Sequence, residues 1–86
     1  MEAAGIHPYE SVLVADLNNG NRFETYAVAA EPGSGKIVVL GAAAKLAEPG
    51  DILIIMAFGY CTSEEASTFK PKVVFLDGDN KIVESH

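Results

Sequence analysis

Arg22, Thr25 and Tyr26 are the residues of this chain whose types and spacing best suit chemistry. Arg22 is the sole arginine among 6 Lys and Arg, set against 12 Asp and Glu for a formal charge of -6. A guanidinium in such surroundings suits the capture of a carboxylate, because its planar fork donates two parallel hydrogen bonds. Thr25 adds a hydroxyl, and Tyr26 a phenol able to donate a proton. On an extended strand Arg22 and Tyr26 share one face and Thr25 points to the other. A bulge or a subunit boundary is therefore needed to bring all three to one ligand. A plainer account pairs Arg22 with Glu24 or Asp16 and treats Thr25 and Tyr26 as good strand formers.

Gly41-Ala42-Ala43-Ala44 is the second informative segment. Glycine followed by small residues at a helix start leaves backbone N–H groups approachable, and such a start can bind an anion without a charged side chain. The plainer account is an alanine-rich turn packed against the rest of the fold. Other segments carry less. Gly33-Ser34-Gly35-Lys36 resembles part of a phosphate-binding loop, but Ala30 stands at its required first glycine and Ile37 where Ser or Thr must follow the lysine. A flexible loop is the expectation there. His7 and His86 are expected at the surface. Cys61 has no cationic neighbour to activate it and is expected to be a small buried hydrophobe. No His or Cys spacing forms a metal site.

Composition narrows the field. The chain has 86 residues, 49% hydrophobic and 21% charged, which fits one ordinary globular domain. Its acidity disfavours nucleic acid and anionic membrane surfaces, both of which need clustered cations. The longest apolar run, Ile52 to Phe58, falls far short of the roughly 20 residues that span a bilayer. No signal peptide is visible, and a single cysteine excludes an internal disulfide framework. Together these suggest a cytoplasmic setting. A chain this short buries little surface, so oligomerisation is an expected source of stability.

The elements that must position these residues follow from local signals. Met1–Gly5 resembles a last helical turn closed by glycine. Strands are expected over Ser11–Leu17 and Arg22–Ala30, joined by the Asn18-Asn19-Gly20-Asn21 turn. Further strands are expected over Lys36–Leu40, Ile52–Tyr60, Lys72–Leu76 and Lys81–Glu84, with Ile52–Tyr60 the most buried. Gly41–Ala47 predicts one or two helical turns. Thr62 and Glu65 form a capping-box pattern opening a helix that ends by Lys70, before Pro71. The sum is a mainly β chain of about six short strands and two short helices, best arranged as a small barrel.

These residues resemble the pyruvoyl-dependent aspartate 1-decarboxylases. The matching stretches are Ala3-Ala4-Gly5-Ile6, Asn19-Gly20, Arg22-Phe23, Thr25-Tyr26-Ala27, Gly33-Ser34-Gly35 and Gly41-Ala42-Ala43-Ala44. Gly50-Asp51-Ile52, Glu64-Glu65-Ala66 and Lys70-Pro71 continue them in register over nearly the full chain. The resemblance implies a small double-psi β-barrel, whole or incomplete in this chain, assembled as a homotetramer with sites between subunits. It implies conversion of L-aspartate to β-alanine and CO2 for pantothenate biosynthesis. In the family, a precursor cuts itself at a Gly-Ser bond and the serine becomes a pyruvoyl group. The substrate amine forms a Schiff base with that ketone, which acts as the electron sink.

Carried over by position, Arg22 resembles the arginine that binds the substrate carboxylate. Thr25 resembles the threonine that aids self-processing, and Tyr26 the tyrosine that protonates the decarboxylated intermediate. Gly41, Ala42 and Ala43 correspond to backbone lining the substrate pocket. The family's processing Gly-Ser and an active-site lysine lie upstream of the segment matching Met1, so the pyruvoyl-forming serine is not present in this chain. Gly33-Ser34 matches a different loop. Leu40 stands where the family pattern has asparagine. The resemblance thus implies residues 1–86 to be a β-chain portion, truncated at its N-terminus. It would work with a complementary α-chain or other copies and be inactive alone. The alternative is a non-catalytic truncated barrel serving as an assembly or dicarboxylate-binding module.

Overall fold

The computed structural model describes all residues, Met1–His86. Five strands are present: β1 (Ser11–Asp16), β2 (Arg22–Tyr26), β3 (Leu53–Ala57), β4 (Val74–Leu76) and β5 (Ile82–Ser85). They form a three-stranded sheet in the order β2-β1-β3 and a separate β4-β5 hairpin, all pairs antiparallel. Neither sheet closes. The radius of gyration is 13.8 Å, against about 12 Å for a compact chain of this length. The molecule is therefore mainly β and open, consistent with a small incomplete barrel.

Local chemistry explains the β1–β2 connection. Asp16 Oδ1 accepts the N–H of Asn18 at 2.8 Å and of Asn19 at 3.3 Å. The Gly20 N–H then donates to the Asp16 carbonyl at 2.9 Å, with Gly20 at φ 77, where a side chain would be strained. These bonds fix the register Val12↔Thr25 and Val14↔Phe23. Val12, Val14 and Phe23 consequently share one face and form the core cluster, packed by Ile6, Val39, Ala43, Leu46, Ala47 and Leu53.

The short helices follow their signals. A 3-10 turn over Glu2–Ala4 ends on left-handed Gly5. A 3-10 helix spans Gly41–Lys45. Helix α1 (Ser63–Thr68) opens on a complete capping box: the Glu65 N–H donates to Thr62 Oγ1 at 3.1 Å and the Thr62 N–H to Glu65 Oε1 at 3.2 Å. No helix is long and apolar enough to cross a membrane.

Three expectations are corrected. Lys36–Leu40 forms no strand; its Val and Ile residues favour extended backbone, but no neighbouring strand offers a ladder. Five strands result instead of six. The Ile52–Tyr60 stretch is not the most buried, because β3 is a sheet edge paired only to β1, and Ile54 and Ile55 are exposed. Central β1 holds four of the five buried residues, with Phe23 the fifth. Cys61 is exposed rather than buried, since it follows the edge strand into the turn before α1.

The two sheets are joined through loops. Asn80 Nδ2 donates to the Gly35 carbonyl at 2.7 Å and Lys81 Nζ to the Gly33 carbonyl at 2.6 Å. A Cβ on Gly35 would lie 2.8 Å from the Asp79 carbonyl oxygen, so only glycine permits this approach. Gly33–Gly35 is thus a loop, as expected, but one held against the β4–β5 turn.

Candidate active site

Strand β2 divides the sequence-predicted residues between its two faces. The ladder with β1 runs unbroken from Ser11↔Tyr26 to Ala15↔Arg22, so no bulge turns Thr25 toward its neighbours. Arg22 and Tyr26 lie with Glu24, Leu13 and Ser11 on the outer face. Thr25 is half-buried on the inner face beside Phe23. The same alternation gives about 13 Å between the Cα atoms of Arg22 and Tyr26, at roughly 3.3 Å per residue. That span is short enough for two long side chains to bracket a small diacid.

Arg22 is exposed and forms no ion pair. The chain's ion pairs are the N-terminus with Glu2 and His86 with Glu84. The plainer pairing of Arg22 with Glu24 or Asp16 is therefore absent. Asp16 belongs to the inner face, where Oδ1 is already taken by two turn N–H groups. The guanidinium remains available to a ligand carboxylate.

Gly41–Lys45 lies across the inner face. Gly41 has φ 68, and Leu40, extended at the cap position, supplies no side-chain hydrogen bond to the first N–H groups. Ala43 packs against the Val12–Val14–Phe23 cluster. The amides of Asn19 and Asn21 each donate to the Leu46 carbonyl at 3.0 Å. The hairpin turn thus holds the end of this helix in place. Within one chain the structure brings Thr25 and the Gly41–Ala43 backbone to one side of the sheet, and Arg22 with Tyr26 to the other.

The family model for aspartate decarboxylase matches residues 1–83. The chain belongs to the aspartate decarboxylase family. Over 83 residues it is 58% identical to an aspartate 1-decarboxylase of Acetivibrio thermocellus, covering 96% of this chain and 66% of that protein. It is 53% identical to that of Thioalkalivibrio sulfidiphilus, with 96% and 66% covered. For Caldicellulosiruptor saccharolyticus the values are 55%, 96% and 65%. The chain thus spans just under two thirds of the length of these curated relatives.

Two features of this aspartate decarboxylase-family chain escape sequence reasoning. The first is Tyr9, whose ring centroid lies 6.2 Å from that of Tyr26 at a 37° tilt. Tyr9 holds φ 66, a left-handed conformation costing a non-glycine residue about 1–2 kcal/mol. The signal was Pro8: proline at the second position of a turn can leave the next residue at positive φ. The second is Asp16, only 2% exposed, with Oδ2 lacking a conventional hydrogen-bond partner. Burial raises its carboxyl above the ordinary value, and the neighbouring Asp51 carboxyl raises it further. Asp51 is lowered, first by its interaction with the neighbouring Asp16 carboxyl and then by the Glu48 N–H, which donates to Asp51 Oδ2 at 2.9 Å.

Proposed function

We propose that this chain is the β-chain portion of a pyruvoyl-dependent aspartate 1-decarboxylase, a single barrel domain over residues 1–86 that converts L-aspartate to β-alanine and CO2 in pantothenate biosynthesis. The observation that carries this reading is the unpaired Arg22 guanidinium on the same strand face as the Tyr26 phenol, in a chain of this family. Arg22 binds a substrate carboxylate through its fork. Tyr26 delivers a proton to the carbon that loses CO2. Thr25 and the Gly41, Ala42 and Ala43 backbone line the pocket from the inner face.

The division of these groups between two faces supports a site shared between copies in a homotetramer, or with a complementary α-chain. The outer face of one copy would meet the inner face of another. Nineteen large hydrophobic residues are exposed, more than an isolated chain favours, which supports the same assembly. A cytoplasmic location accompanies the reading. The pyruvoyl group supplies the carbonyl electron sink that no side chain offers. We take its serine to lie outside this chain, a reading supported by the one Gly-Ser pair, Gly33-Ser34, being held on the β4–β5 turn, where Ser34 Oγ accepts the Lys36 N–H at 3.3 Å.

The test is binding of L-aspartate to the 86-residue chain, followed by NMR at the Arg22 Nε–H and the Tyr26 ring. Arg22→Gln should weaken binding about 10–150-fold, the loss of one charged hydrogen-bonding partner. An unresponsive Arg22 would refute the reading. No β-alanine is expected from the chain alone, and turnover would overturn the external origin of the serine. Leu40, which offers no amide, favours the second reading, a non-catalytic dicarboxylate-binding or assembly module. Borohydride treatment with aspartate separates the two in an assembled complex: an adduct of increased mass forms only where a reactive carbonyl is present.

A further inference from the structure

We propose that Tyr9 is a positioning residue for the Tyr26 phenol, an inference that rests on the reading of Tyr26 as proton donor. The turn carrying Tyr9 is over-determined. The Glu10 N–H donates to the His7 carbonyl at 3.1 Å, and the His7 N–H to Glu10 Oε1 at 2.9 Å. The Tyr9 N–H donates to the Ala27 carbonyl, and the Ala27 N–H returns to the Glu10 carbonyl at 2.9 Å. Four bonds therefore set the direction in which the Tyr9 Cα–Cβ bond leaves the backbone.

A turn alone does not call for tyrosine at this position. Glycine or asparagine adopts φ 66 at lower cost. Nor does burial compensate the strain, because Tyr9 is 74% exposed. What the side chain contributes is its contact with Tyr26, at a centroid separation of 6.2 Å, inside the range of interacting aromatic pairs. Strain retained at an exposed residue points to a use of the side chain itself.

The register gives that contact a direction. Tyr26 stands opposite Ser11, and Arg22 opposite Ala15. Tyr9 pairs beyond Tyr26, at Ala27, on the side away from Arg22. Its ring therefore walls the far end of the outer face. Tyr26 is left to swing toward the guanidinium, where a bound diacid would lie.

The chain has three tyrosines, so 13C-labelled tyrosine gives three assignable ring signals, with the fully exposed Tyr60 as internal reference. Tyr9→Gly removes the ring while favouring the left-handed turn, so the backbone survives. It should shift the Tyr26 ring resonances and move its side chain toward rotamer averaging, with Tyr60 unmoved. Tyr9→Phe should keep Tyr26 at its wild-type position, since the contact is made by the ring. Unchanged Tyr26 signals in Tyr9→Gly would overturn the proposal, as would a Tyr9→Phe spectrum matching that of Tyr9→Gly. The readout requires no aspartate, so a failure of ligand binding at Arg22 is seen separately.

Discussion

The two faces of strand β2 are built from one five-residue segment and do opposite work. On the inner face, Phe23 is buried against Val12 and Val14, and Thr25 is half-covered. On the outer face, Arg22, Glu24 and Tyr26 are exposed, and Arg22 has no ionic partner. The inner face fixes the register by burying apolar surface. The outer face inherits that register, which sets Arg22 and Tyr26 four residues apart on one side. A strand alternates with period two, so rigidity acquired on one side is delivered to the other without additional contacts.

The strongest way to break this comparison is Phe23→Ala. Removing a buried phenylalanine costs about 3–5 kcal/mol, against a total stability of roughly 4–13 kcal/mol for a chain of this length. Thermal and urea denaturation should show a large loss or an unfolded chain, together with loss of aspartate binding. Arg22→Gln should do the reverse: stability within about 0.5 kcal/mol of wild type, as for an exposed unpaired residue, but weakened binding. If Arg22→Gln also melts the chain, the outer face contributes to the fold and the division fails.

How far this arrangement could be read from residues alone depends on how local its causes are. The Asn-rich turn, the capping box at Thr62 and Glu65, and the shared face of Arg22 and Tyr26 arise within a few residues and were legible. The exposure of β3 was not. Whether a strand lies at the centre or the edge is decided by partners distant in sequence, and Ile54 looks the same in either place. Lys36–Leu40 failed for a related reason, since strand-forming residues make no strand without a neighbour. Tyr9 escaped because the Pro8 turn that favours its positive φ does not reveal which ring its side chain will meet, and Asp16 because the burial of a turn aspartate is decided by residues distant in sequence.

Asp16 offers a subtler test, at the polar end of the inner face. Burial holds its carboxyl above the ordinary 3.8. Its contribution is therefore complete below that pH and is lost as pH rises through the higher folded value. Asp51 has the opposite sign: it is held below 3.8, so its contribution is present above that pH and lost as pH falls through the folded value. Glu65 and Asp77 are also held low, by hydrogen bonds from Thr62 and from the Lys81 and Asp79 N–H groups. Among the shifted carboxyls, Asp16 alone weakens the fold as pH rises. Asp16→Asn keeps an acceptor for the Asn18 and Asn19 N–H groups and removes the titrating carboxyl. It should flatten the decline in Tm above the ordinary aspartate range and leave the acid limb in place. A Tm profile unchanged by the substitution would show that burial does not raise the Asp16 carboxyl in the folded chain.

The smallest expected effect sharpens the inner face at the Gly41–Lys45 helix. Leu40 occupies the cap of the Gly41–Lys45 helix in an extended conformation, 75% exposed and without a cap hydrogen bond. Leu40→Asn sacrifices almost no packing and places a side-chain acceptor within reach of the Ala42 or Ala43 N–H. A polar cap in place of an apolar one gains about 0.5–2 kcal/mol, with the lower end expected for a helix of five residues. Tm should rise by a few degrees, and hydrogen exchange at Ala42 and Ala43 should slow. These are the N–H groups we propose to face ligand from the inner face, so their protection measures how open that backbone is. If exchange in the wild-type chain is already slow and Leu40→Asn leaves it unchanged, the backbone turn is closed by other means. Arg22 and Tyr26 would then have to hold the diacid from the outer face alone.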